Sequence, residues 1–165
     1  MERLLILGSG GAGKSTLARR LGERTGLPVI HLDRMWWRPG WVNRSREEFD
    51  RLLERELAGD RWIIDGNYDR TLGLRLARAD TVVFLDYPVR TCLWGALRRV
   101  VRYRGKSRPD MTEGCPERLD PEFVKWILEF RREIRPQTLA RLAAWDGEVH
   151  SFSRRRDCEA WLKVL

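Results

Sequence analysis

Short apolar runs alternate with longer amphipathic stretches along the whole chain. The first run, Leu4-Leu5-Ile6-Leu7, is too short for a helix and continuous enough for a strand buried on both faces. Residues 14–25 follow with Leu17 and Leu21 at helical spacing, and Gly26 stands where a helix ends. A second strand is expected over 28–32, ending at Asp33. Residues 34–45 are polar and aromatic, with a turn at Pro39-Gly40. Ser45 and Glu48 form a capping box ahead of a helix over 45–58, whose stripe is Phe49, Leu52, Leu53 and Leu57. A third strand runs over 61–64 to Asp65-Gly66, a short helix covers 71–78, and a fourth strand runs over 81–85 to Asp86 and Pro88. The spacing then predicts a helix over 89–104 with Leu93, Leu97 and Val101 inward. Gly, Pro and mixed charge predict a mobile loop over 105–119. A long helix over 121–143 turns Phe123, Trp126, Ile127, Phe130 and Ile134 inward, and Pro136 breaks or kinks it. A fifth strand over 148–152 and a helix over 156–164 complete the pattern.

Strands alternating with helices predict an α/β fold: a parallel sheet with helices on both faces. Ligands bind beyond the carboxyl ends of the strands of such sheets. Gly8, Asp33, Asp65 and Asp86 each stand at such an end. A length of 165 residues suits one domain. No apolar run approaches the length of a membrane span, and the first run leads into a glycine-rich turn without a cleavage site, so a cytoplasmic protein is expected. The spacing of Cys92, Cys115 and Cys158 matches neither a zinc site nor a disulfide framework, which leaves buried thiols.

That glycine-rich turn carries the strongest chemical signal. Gly8, Ser9, Gly10, Gly11, Ala12, Gly13, Lys14 and Ser15, with Thr16 behind them, spell G-x-x-x-x-G-K-S between a buried strand and a helix. In that context backbone N–H groups can wrap a phosphate chain at the positive end of the helix. Lys14 would reach the β- and γ-phosphates of ATP, and the Ser15 hydroxyl would hold Mg²⁺. The run Trp62-Ile63-Ile64-Asp65 matches a strand that delivers a carboxylate to the same ion, which makes Asp65 the second metal residue. Asp86 follows a similar run, with a strand-end role and a catalytic role both open.

Charge adds a lid. The net charge is +8, and seven basic residues with no acidic one lie between Arg90 and Arg108. Arginines on a lid can clamp phosphates, and the candidates are Arg98, Arg102, Arg104 and Arg108, with Arg131, Arg132 and Arg135 able to complete the clamp. Asp33 is the candidate general base toward a phosphoryl acceptor. Trp36, Trp37 and Trp41 could wall the acceptor pocket, one or two packing and one facing the ligand, while Arg70 or Arg75 could bind an acidic group on the acceptor.

Three stretches carry a resemblance: His31-Leu32-Asp33 with Trp37-Arg38-Pro39-Gly40-Trp41, then Trp62 through Tyr68, then Gly114-Cys115-Pro116-Glu117. Together they resemble bacterial DNA topology modulation proteins, relatives of adenylate kinase among the small P-loop kinases. The resemblance implies a P-loop NTPase fold with a five-stranded sheet of order 2-3-1-4-5, an acceptor-binding insert over about 34–60 and a lid over about 103–120. Asn67-Tyr68 stands where adenylate kinases carry Phe-Pro, so AMP is not carried over as the acceptor. Three functions stay open: an ATP- and Mg²⁺-dependent kinase of a nucleotide or other small acceptor, a nucleotide-regulated DNA-binding protein, and a simple ATPase. For the second, no nucleic-acid reading motif is present.

Overall fold

The computed structural model describes all residues 1–165. Five strands form one parallel sheet: β1 (Arg3–Gly8), β2 (Val29–His31), β5 (Trp62–Asp65), β6 (Thr81–Leu85) and β7 (Glu148–Phe152), in spatial order β2-β5-β1-β6-β7. Numbered among themselves these are the second, third, first, fourth and fifth strands, the expected order. Between β2 and β5 a two-stranded hairpin, β3 (Trp37–Arg38) and β4 (Val42–Asn43), turns at Gly40 and Trp41, both at positive φ.

The helices are α1 (Lys14–Thr25), α2 (Leu32–Trp36), α3 (Arg46–Leu57), α4 (Leu72–Leu76), α5 (Val89–Tyr103), α6 (Pro121–Glu133), α7 (Arg135–Ala143) and α8 (Arg155–Val164). Side chains alternate across the central strands as a two-residue period requires. Leu4, Ile6, Ile63 and Val83 face one core with Leu17, Leu21 and Cys92. Leu5, Leu7, Ile64, Val82 and Phe84 face the other with Phe49, Leu53 and Leu57. The long helix breaks at Ile134, with Pro136 in the first turn of α7. Ser45 caps α3 by accepting from the Glu48 N–H, but the Glu48 carboxylate turns away to Arg38 and Arg44, so the box is half made.

Two expectations about packing fail. Leu97 and Val101 on α5 are exposed, and the buried side of that helix is Cys92 and Ala96. Strand β2 stops at His31, which puts Asp33 in the first turn of α2 and not at a strand end. All three cysteines are buried free thiols. No helix is long and apolar enough to cross a membrane.

Candidate active site

At the carboxyl end of β1 the chain turns through 9–13 into α1. Gly13 takes the left-handed conformation, φ 95°, and no side chain caps the helix. The N–H groups of the first turn of α1 therefore have no side-chain partner, at the positive end of a twelve-residue helix. The loop is braced on both sides. Asn67 Nδ2 donates to the Gly8 carbonyl at 2.7 Å, and its Oδ1 accepts from the Gly8 N–H at 3.1 Å. On the other side α5 comes so close that a Cβ on Gly11 would lie 2.0 Å from the Cys92 carbonyl oxygen, and one on Gly95 2.1 Å from that of Gly11. Lys14 Nζ donates to the carbonyls of Gly8 and Ser9, both at 3.0 Å. Burial pulls its pKa down, against the opposing charges of Asp65 and Asp33.

Beside the loop, Ser15 Oγ donates to Asp65 Oδ2 at 2.6 Å, and His31 Nδ1 lies 2.5 Å from Asp65 Oδ1. Strand register explains the second contact, because His31 and Asp65 are paired across β2 and β5. Asp33 accepts from the Tyr68 hydroxyl at 2.8 Å. A hydroxyl and a carboxylate next to an ammonium and uncapped helix N–H groups are the donor set that a Mg²⁺–triphosphate pair requires, so the residues fit both.

These groups line one cavity of about 1330 Å³. Trp37, Trp41, Asn67, Tyr68 and Met111 border it, and Arg99, Arg108 and Asp110 project into it from the lid side. The lid lies directly against the hairpin. Thr112 Oγ1 donates to the Trp37 carbonyl at 2.6 Å, Gly40 N to Gly114 O at 2.8 Å, and Trp41 Nε1 to Pro116 O at 3.2 Å.

Of the residues expected at the site, Gly10, Gly11, Gly13, Lys14, Ser15, Thr16, Asp33, Asp65, Trp37, Trp41, Arg98, Arg102 and Arg108 border the cavity. Gly8, Ser9 and Ala12 are buried behind its wall. Four side chains lie elsewhere. Arg104 is exposed at the end of α5, off the cavity. Trp36 packs against Phe49 and Tyr68 in the core. Arg70 forms an exposed ion pair with Asp50 at 2.6 Å. Arg75 is fully buried and donates to the carbonyls of Gly66, Asn67 and Tyr68, holding the turn after β5. Of the supporting arginines, Arg135 is bound to Asp86 at 2.6 Å, which gives that aspartate a structural partner, and Arg131 and Arg132 point outward.

Sequence reasoning missed His31, Asn67, Arg99 and Asp110 as cavity residues. Arg99 had a signal: with Cys92 and Ala96 it falls at i, i+4 and i+7 on the buried side of α5.

No protein-family model matches the chain, and no curated protein matches it. Solved structures do. Deoxyadenosine kinase from M. mycoides, determined with bound dATP, superposes with a TM-score of 0.56 at 14% identity over 99% of this chain and 96% of that one. Shikimate kinase from Acinetobacter baumannii, in complex with shikimate, superposes with a TM-score of 0.57 at 15% identity over 99% of this chain and 92% of that one. The chain therefore has the α/β P-loop kinase fold, a five-stranded parallel sheet covered by helices.

Proposed function

We propose that this protein is an ATP- and Mg²⁺-dependent phosphotransferase that moves the γ-phosphoryl group to a nucleotide or another small acceptor. One observation carries the reading: an uncapped α1 with Lys14 opens on a cavity that the Asp33–Tyr68 pair also lines. The first is a phosphate site, and the second is a carboxylate oriented for an incoming hydroxyl.

In this reading the N–H groups of residues 10–16 and Lys14 bind the phosphates. Ser15 and Asp65 hold Mg²⁺, which when bound offsets phosphate charge, and His31 fixes the Asp65 carboxylate. Asp33 accepts the proton of the acceptor hydroxyl, and Tyr68 keeps its Oδ1 occupied so that Oδ2 faces the acceptor. Burial and the neighbouring Asp33 charge push the Tyr68 hydroxyl far above its usual range, so it stays a donor at all working pH. Trp37 and Trp41, 5.4 Å apart edge to face, supply apolar walls for a flat acceptor. The lid excludes water, which favours transfer over hydrolysis.

Two of the three stretches that resemble DNA topology modulation proteins, around His31–Trp41 and Asp65–Tyr68, border this one cavity, which supports a small acceptor over a DNA surface. We place the protein in the cytoplasm, where ATP is supplied.

An acceptor screen that follows ADP release tests the reading. An acceptor should accelerate release, and Asp33→Asn should then lower turnover by about 10²–10⁴-fold with ATP affinity unchanged. Release that no acceptor stimulates would favour a simple ATPase, and full turnover by the variant would remove Asp33 from the chemistry.

A further inference from the structure

Gly114-Cys115-Pro116-Glu117 has no part in the chemistry so far, yet its carboxylate is 6% exposed in a lid that is otherwise mostly open. Glu117 does not border the cavity. Its Oε2 lies 2.9 Å from Arg108 Nε and 3.2 Å from Arg99 Nε, so one oxygen sits between two guanidinium groups that do border it. The Glu117 backbone is pinned as well: its N–H donates to the Lys106 carbonyl at 2.9 Å, and its carbonyl accepts from Gly105 at 3.3 Å.

Both arginines border the cavity that the phosphate loop lines. The Arg99 guanidinium lies 4.8 Å from the centre of the Phe123 ring, and Phe123 packs so closely on the loop that a Cβ on Gly10 would meet its ring at 2.4 Å. Arg108 reaches Asp110 Oδ2 at 3.2 Å on the cavity side. Two like charges this close and this buried repel, and burial together with Arg108 pulls the pKa of Arg99 down. A carboxylate between them offsets that repulsion while facing each at Nε, which leaves for another anion the terminal Nη groups of Arg99 and the Nη2 of Arg108, whose Nη1 is the atom that reaches Asp110. Arg99 Nε is buried and makes no hydrogen bond of good geometry, so its contact with Glu117 is one of charge.

We propose that Glu117 is a positioning residue that holds Arg99 and Arg108 as a matched pair aimed at the terminal phosphate of a nucleoside triphosphate on the phosphate loop. The inference rests on the kinase reading. It adds the lid to Lys14 as a second source of positive charge at the third phosphate. It also gives Arg99 the part that the charge pattern alone had offered to Arg104.

Calorimetric titration with MgATP and with MgADP separates the two readings. The wild-type protein should bind MgATP more tightly than MgADP. Glu117→Gln, which keeps the side-chain volume and one oxygen, should lose at least about tenfold of that preference, the scale of one charge-assisted hydrogen bond, with MgADP affinity unchanged. In an R99A/R108A background the same substitution should have no further effect. Should E117Q fail to fold, R99A alone must show the same selective loss. Equal loss for both nucleotides would mean a merely structural role, and a retained preference would overturn the proposal while leaving the kinase reading intact. A wild-type protein that binds neither nucleotide would overturn both.

Discussion

At the level of single residues, what could be read in advance is what depends on near neighbours in the chain. Lys14 and Ser15 follow a glycine-rich turn, and Asp65 closes an apolar run, so their positions at a helix start and a strand end are local facts. Arg99 lies within α5 on its buried side, whereas Arg104 stands just past the end of the helix, so where the helix stops decides which one reaches the cavity. Trp36 is the tryptophan that packs, and Arg70 lies off the cavity, because aromatic and cationic side chains serve the core and the surface as readily as a ligand. Asp80 is a residue whose value lies in the fold. Its burial opposes ionisation, but hydrogen bonds from Thr81 and from the N–H groups of Glu2 and Arg3 outweigh it and hold its pKa below 3.8. A depressed folded pKa stabilises above the unfolded value and ceases to do so as pH falls through the folded one. Urea unfolding should therefore show Asp80→Asn less stable than wild type at pH 7, with the gap closing below pH 3.8. A gap independent of pH would contradict that linkage.

Among the elements, α5 shows why hydrophobic periodicity misleads at a site. Leu93, Leu97 and Val101 form a clean apolar stripe, yet the phosphate loop needs backbone contact, which only the small side of the helix allows. Cys92, Gly95 and Ala96 meet Gly11, and Leu97 and Val101 are left outward at the edge of the cavity. Gly95→Ala should accordingly cost about 1–3 kcal/mol in denaturant unfolding and weaken nucleotide binding. Gly73→Ala in α4 has open space around its Cβ and should be neutral or stabilising by up to about 1 kcal/mol. If the two substitutions behave alike, the close approach of α5 to the loop is not as described. The five sheet strands and the longer helices were legible to within a few residues, with stops such as Gly26 and Pro136, whereas α2 and the β3–β4 hairpin lie in a stretch that showed only its turn at Pro39-Gly40.

Over the whole molecule, the α/β class follows from the alternation of strands and helices. The seam between the hairpin and the lid does not, because its partners lie more than seventy residues apart. Thr112, Gly114 and Pro116 meet Trp37, Gly40 and Trp41 through hydrogen bonds that no local pattern announces. That seam ties the lid to the hairpin that carries Trp37 and Trp41 on the cavity wall. Thr112→Val should speed hydrogen exchange at the Gly40 amide while leaving the amides of β1 protected; unchanged exchange at Gly40 would mean that the hydroxyl does not hold the seam. The claim beneath all of this is that residues 8–16 bind a nucleoside triphosphate. Calorimetry of the purified protein with MgATP tests it directly. Saturable binding at one site per chain is predicted, weakened about 10–100-fold or more by Lys14→Ala. No heat with any purine triphosphate and magnesium, or unchanged binding in the Lys14 variant, would contradict it.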